Sequence, residues 1–342
     1  MAVTGVSGLL GRRVLRDLRA DGDVERVVGI DTDAPPATPE PLDHYRADLA
    51  AADLKSLLED CETIIHLAFV AGVEPHDAAT ARANVDATRR LLDAAASVGA
   101  RNVVVVSSAT AYGAWENNPV PLTEEAPLRP NPGFAYGLHK AEVERVCAEW
   151  ADDHPETPIA LLRPAPAVGE AGSSWLARAL QGLAVLRSAP DAPPAQFLHL
   201  DDLSSAVVHA GRQRLDGAFN VAPHGHISAE EVRALAGGAW ALPVPDRFVR
   251  RLSRITREFH RGEIPEGLEP YLRHPWVVAN DKLAATGWSP AHTNEQAFVA
   301  AHRPSRWTEM SPHQRQNTAL VVSGAAVAAA AAGVVAVVRR RR

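Results

Sequence analysis

Cysteine and lysine are both scarce in this chain. Two cysteines, Cys61 and Cys147, in 342 residues can build neither a disulfide framework nor a thiolate metal cluster. A reducing, cytoplasmic setting fits. Only Lys55, Lys140 and Lys282 are lysines, so arginine carries nearly all the positive charge and a lysine inside a motif is informative. Positive charge is itself in deficit. The net charge is −6, and subtracting the four charges of Arg339–Arg342 leaves −10 for residues 1–338. An acidic body excludes a nucleic-acid-binding protein, whose footprint is basic. At 46% hydrophobic and 22% charged residues the composition is globular, which excludes disorder, collagen and coiled coil. No secretory signal peptide is expected, because the chain opens directly into a glycine-rich turn.

Up to about residue 165 short apolar runs alternate with amphipathic helix-length stretches. The runs are Val27–Asp31, Thr63–Ala68, Val103–Ser107 and Ile159–Arg163, and the stretches are Leu10–Leu18, Ala79–Val98 and Tyr136–Trp150. Continuous Val/Ile/Leu runs between helices predict an α/β fold, a doubly wound parallel sheet covered on both faces. Only Met1–Val3 precede the turn, so the first strand is expected to be frayed or the recorded start to lie late. Beyond 165, a helix over Ser174–Leu186, strands over Phe197–Asp202 and Ala218–Val221, and a capping box at Ser228 and Glu231 are predicted. Asp246–Gly262 reads as a basic amphipathic helix that either packs inward or lies on an anionic surface.

Thr4-Gly5-Val6-Ser7-Gly8-Leu9-Leu10-Gly11 is a G-x-x-G-x-x-G turn between strand and helix. Gly5 permits the tight turn, Gly8 lets the backbone approach a pyrophosphate, and Gly11 allows close helix–strand packing; Ser7 and Leu9 stand beside them. Asp31 ends the next strand, where a carboxylate holds a ribose 2′-hydroxyl. Asp33 follows with no arginine beside it, which favours NAD over NADP. Tyr136 and Lys140 lie one turn apart on a helix. An ammonium that stabilises the phenolate fits Tyr136 for proton transfer at a carbinol oxygen.

These residues, with Asp48-Leu49, His66-Leu67-Ala68, Asn84-Val85, the run from Ser107 to Gly113 (SSATAYG), Leu162-Arg163-Pro164, the run from Phe197 to Leu203 (FLHLDDL) and Gly287-Trp288-Ser289-Pro290, resemble the extended short-chain dehydrogenase/reductase family. The similarity is to its NAD-dependent epimerase/dehydratase group and covers about residues 1–300. The resemblance implies a Rossmann-like fold in which Ser108 hydrogen-bonds the substrate oxygen and Tyr136 is the acid/base. Lys140 then binds the nicotinamide ribose and lowers the tyrosine pKa. It also implies adenine contacts from Asp48 and Leu49, Leu67 and Ala68 along the cofactor, Pro164 near the nicotinamide, and a mainly structural Asn84. A homodimer through the helices near Ala79–Val98 and Tyr136–Trp150 is a further implication.

The chain departs from this group in three places. Ala109-Thr110 stand where dehydratases carry Asp-Glu, Ala195 where nucleotide-sugar epimerases carry a phosphate-binding arginine, and Pro166 where they place an asparagine. Sugar dehydration is therefore not expected. The expected activity is NAD-dependent hydride transfer at a secondary alcohol or ketone carbon, nucleotide-sugar epimerase-like or 3β-hydroxysteroid dehydrogenase-like. The substrate is a small molecule, either a nucleotide sugar or a lipophilic alcohol or ketone. The alternative is a catalytically idle NAD-binding sensor or scaffold at the membrane. No metal site is expected; His224-Gly225-His226 reads as a surface turn. Trp115, Phe134 and Trp175 are candidates for the substrate pocket.

The expected organisation is an NAD-binding domain over 1–165, with 197–225 returning to it, and a smaller substrate-binding region over 166–196 and 226–302. A linker over 303–318 follows. Ala319–Val338 then gives 20 uncharged, almost wholly apolar residues, which as a helix rise ~30 Å, the thickness of a bilayer's hydrocarbon. Either this is an alanine-rich tail or, as expected here, a transmembrane helix anchoring a cytoplasmic catalytic domain to the cell membrane. Arg303, Arg306 and Arg315 on one flank and Arg339–Arg342 on the other leave orientation undecided by charge.

Overall fold

The four apolar runs become buried strands β2 (Val28–Asp31), β4 (Thr63–His66), β5 (Asn102–Val106) and β6 (Ile159–Pro164). With β1 (Ala2–Thr4), β3 (Asp43–Arg46) and β9 (Gly217–Val221) they form one seven-stranded sheet in the order β3-β2-β1-β4-β5-β6-β9, every neighbouring pair parallel. This is a doubly wound, Rossmann-like α/β fold, and the strand order reverses between β1 and β4. The computed structural model describes residues 1–34, 42–70, 78–169, 192–235 and 267–301.

Side chains alternate across the sheet, so two cores form. Val3, Ile65, Val104 and Leu162 meet Val14 and Leu18 of α1 (Leu9–Ala20) and Leu203 and Val207 of α5 (Leu200–Gln213). Ala2, Ile64, Val103, Val105 and Leu161 meet Leu91 and Leu92 of α3 (Ala78–Ser97) and Val143 and Cys147 of α4 (Ala135–Asp153). The short helix α2 (Leu54–Leu57) adds Leu54 to this second core. A third cluster joins Val168, Phe197, Ile227, Val232 and Phe298 under a separate parallel pair, β7 (Ala167–Val168) with β8 (Leu198–His199).

Some expectations are corrected. The first strand is short but not frayed: all three residues are buried and in register with both β2 and β4. The predicted strand Phe197–Asp202 shrinks to two residues. Asp201 and Asp202 fall in the first turn of α5, where carboxylates favour the helix N-terminus, and His199 accepts the Asp201 amide as cap. The Ser228–Glu231 box forms as read, each side chain accepting the other's amide at 3.2 and 2.7 Å. The predicted helices Ser174–Leu186 and Asp246–Gly262, the linker 303–318 and the span Ala319–Val338 lie outside the described residues. Among the described residues no helix is long and apolar enough to cross a membrane.

Candidate active site

The glycine turn joins β1 to α1 at the point where strand order reverses, at the carboxyl ends of the strands. Gly5 has φ +71, and a Cβ there would meet the Ala68 amide at 2.7 Å. A Cβ on Gly11 would overlap the Gly5 carbonyl oxygen, so this position is closed to any side chain. Gly8 is different: it is exposed, and a Cβ would come no nearer than 3.3 Å to the Gly5 oxygen. The amino end of α1 has no side-chain cap, leaving its first N–H groups for a phosphate. Asp31 accepts the Ser7 amide at 2.9 Å and the Asp33 amide at 3.1 Å, and the Ser7 hydroxyl donates to the Asp33 carbonyl. An uncapped helix behind an open glycine turn, with a strand-end carboxylate beside it, fits a dinucleotide. One inference needs amending. Arg46 pairs in register with Asp31 on β3, and its Nε donates to the Thr32 carbonyl at 2.8 Å. The sequence shows no arginine beside Asp33, but the fold brings one there.

Ser108 ends the segment leaving β5 and caps the 3-10 turn Ala109–Tyr112. Its Oγ accepts the Thr110 amide at 3.2 Å and the Thr110 hydroxyl at 2.9 Å, and it is hydrogen-bonded to Tyr136 on the first turn of α4. Lys140, one turn on, is buried; its Nζ donates to the Val106 carbonyl at 2.8 Å and lies 3.6 Å from the centre of the Phe69 ring. The structure thus brings Ser108, Tyr136 and Lys140 together beside the glycine turn. Burial pushes the Tyr136 hydroxyl up to about 12, opposed by the Ser108 hydrogen bond. Burial pushes Lys140 down to about 7, with the Glu144 carboxylate working against it. The lowered tyrosine pKa implied by the resemblance is therefore not what the chain's own groups produce: desolvation outweighs them.

Glu144, one further turn along α4, receives both forks of Arg163 at 2.7 and 2.9 Å and also the Ser107 hydroxyl. Arg163 reaches on to the Tyr112 hydroxyl, which donates to Asn220. This buried cage ties α4 to β5, β6 and β9 directly behind Lys140. Asn84 has the structural role implied for it: its amide clamps both the N–H and the carbonyl of Val70 at 2.9 Å, fixing the chain just after Leu67, Ala68 and Phe69. Leu49 is buried with its carbonyl held by Arg90, whereas Asp48 is exposed and accepts the Ala50 amide. Pro164 closes β6 opposite Val221.

A cleft lies just beyond Pro164, with about 450 Å³ of space in and in front of it, part of that open solvent. Its aromatic walls are Phe197, Tyr271 and Trp276, none of them among the pocket residues expected from the sequence. Phe134 instead lies in the core, its ring 4.9 Å from that of Tyr271 and 6.1 Å from that of Tyr136. Trp115 binds the Arg129 carbonyl, and Trp175 is outside the described residues. No sequence signal marked Tyr271 or Trp276, which reach the cleft only through folding. No group of three or more possible metal ligands occurs among the described residues.

Residues 1–222 match the NAD dependent epimerase/dehydratase family. The chain belongs to that family. Its cofactor is NAD. The chain spans only about half the length of the first curated relatives it matches; for the uncharacterized UDP-glucose epimerase YtcB of Bacillus subtilis the identity is 30%, over 47% of this chain and 54% of the relative. UDP-glucose 4-epimerase of Mycolicibacterium smegmatis is 30% identical over 75% of this chain and 87% of its own. The 3-diazoavenalumate denitrifying reductase of a Streptomyces species is 28% identical over 85% and 95%. Among solved structures, the dTDP-glucose 4,6-dehydratase DesIV of Streptomyces venezuelae, with NAD and TYD bound, superposes with a TM-score of 0.66 at 20% identity, over 88% of this chain and 94% of that one. At that identity the likeness concerns the fold alone.

Proposed function

We propose that this member of the epimerase/dehydratase family oxidises or reduces a secondary alcohol or ketone carbon, with Ser108, Tyr136 and Lys140 as its catalytic residues. The observation that carries the reading is the hydrogen-bonded Ser108–Tyr136 pair with Lys140 one helical turn on, beside the glycine turn. NAD, when bound, supplies the hydride acceptor or donor. Oxidation also takes a proton from the carbinol oxygen, and that proton goes to Tyr136. Ser108 orients the oxygen by a hydrogen bond. Lys140 holds the ribose hydroxyls, and its ammonium together with the positive nicotinamide favours the phenolate against the desolvation that the chain's own groups leave uncompensated. Gly5, Ser7, Gly8, Leu9 and Gly11 would line the pyrophosphate, Asp31 the ribose, Asp48 and Leu49 the adenine, and Leu67, Ala68 and Pro164 the nicotinamide side.

Two types of turnover are open to this site. A retained cofactor whose hydride returns to the other face makes an epimerase, the activity that the mycobacterial relative's name gives. An exchanging cofactor makes a net dehydrogenase or reductase, as the name of the Streptomyces relative indicates. Denaturing the purified full chain and assaying what it releases separates them: about one NAD(H) per chain favours the epimerase, and an empty site that binds added NADH favours the reductase. Tyr136→Phe is expected to lower turnover by ~10²–10⁴-fold with NADH binding kept; unchanged turnover would remove the mechanism. We propose also that Ala319–Val338 anchors the enzyme to a membrane. Full-length protein recovered without detergent in the soluble fraction of a lysate would end that part of the reading.

A further inference from the structure

We propose that the cleft beyond Pro164 takes an uncharged aromatic or alicyclic ring, and that the substrate is a ring ketone or secondary alcohol rather than a nucleoside diphosphate sugar. The inference rests on the hydride-transfer reading and names the substrate class of that same site.

Position comes first. Ala165 and Pro166 follow directly on β6 and line the cleft. Tyr271 forms another wall, and its hydroxyl donates to the Thr110 carbonyl at 2.8 Å. Thr110 in turn donates to Ser108. The cleft wall is therefore two hydrogen bonds removed from Ser108, which is proposed to orient the reacting oxygen.

The lining then selects the occupant. No charged side chain lines the cleft among the described residues. Its polar side chains are already engaged. The Gln196 amide donates to the Gly225 and Val278 carbonyls at 2.8 and 2.9 Å and accepts the Val278 amide. The Trp276 indole donates to the Tyr271 carbonyl. Backbone donors are few. Pro166 and Pro194 have none, and the amides of Ala165, Ala195, Phe197, Tyr271 and Leu272 are bound to Val221, Ile227, Asn294, Leu268 and Glu269, which leaves those of Gln196, Trp276 and Val277. A diphosphate placed there would leave water with no cation from the described residues to replace it, which is a heavy desolvation cost. Aromatic faces and proline rings offer contact to an apolar ring instead. Ala195 stands in this wall where a side chain reaching a phosphate would have to begin.

The test uses the full chain and three probes: the bicyclic aromatic ketone 1-tetralone, UDP and UDP-glucose. Calorimetry measures binding of each without nucleotide, and NADH absorbance then follows reduction of the ketone. Tetralone is expected to bind and be reduced, and UDP and UDP-glucose neither to bind nor to inhibit. Ala195→Arg is expected to weaken tetralone binding at least roughly tenfold while NADH binding stays as in the wild type. Micromolar binding of UDP or UDP-glucose, or no binding of the ketone, would overturn the proposal. Failure of NADH to bind would instead strike at the hydride-transfer reading, because the ketone's affinity is measured independently of it.

Discussion

Lys140 holds its charge in a place that solvation disfavours, between a carbonyl and a phenyl face. Its ordinary value of 10.5 falls to about 7 in the fold. Between those values the unfolded chain binds more protons than the folded one, so stability rises with pH across that window and is lowest below it. Lys140→Met should therefore be the more stable protein at neutral pH while losing turnover. Its advantage should shrink by about 2 kcal/mol from about pH 7 to about pH 9, since each pH unit is worth about 1.4 kcal/mol. Urea unfolding of both proteins at the two pH values measures this. A gap that does not change with pH would mean that the ammonium is not strained by burial. Stability given up at one residue in this way is expected where an active site needs a buried charge.

The turn and helix that open the chain make the next scale testable. Gly8 and Gly11 are spaced alike in the motif, yet the space around them differs. A methyl at Gly11 has the Gly5 carbonyl and the Val6 backbone in its way, so α1 must move and Gly11→Ala should cost roughly 3 kcal/mol. A methyl at Gly8 would stand 3.3 Å from the Gly5 carbonyl oxygen, a tight contact that a small shift relieves, so Gly8→Ala should cost much less stability than Gly11→Ala and lose roughly tenfold or more in NADH affinity, through the lost close approach of pyrophosphate to backbone. Thermal unfolding and a fluorescence titration with NADH, run on both variants, check the split. Much of the element level was legible beforehand, because glycine spacing and apolar runs act locally. β3 was not: its sequence, Asp43-His44-Tyr45-Arg46, is polar and mostly exposed, and it is a strand only because β2 offers it partners. The Glu144–Arg163–Tyr112 cage was equally hidden, since its members lie on a helix, a strand and a turn far apart in sequence. The same holds for the cleft. Ala195 and Pro166 could be flagged as departures, but only the fold shows that aromatic rings, and no charged side chain among the described residues, line the cleft with them.

At the scale of the molecule, stability should be graded across the sheet. β1, β4 and β5 are central and buried, whereas β3 is an exposed edge. Amide hydrogen exchange should find Val3, Ile64 and Val104 opening only with global unfolding, and the β3 amides exchanging much earlier. Equal protection at β3 and β1 would contradict that grading.

The finished sheet ends at β9, where Lys282 donates to the Ala218 carbonyl and sits 4.5 Å from the Phe219 ring centre, a charge that blunts the open edge. Since β6 finds its outer neighbour only in Gly217–Val221, a growing chain that has just released Pro164 must wait for those residues before β6 is covered. At ~5–20 residues per second of synthesis that wait lasts some seconds. During it, six consecutive residues that will all be buried present an unpaired flank. Neighbouring ribosomes on one message would hold such flanks side by side, so the moment of greatest aggregation hazard in this enzyme's life comes before its last sheet strand is made.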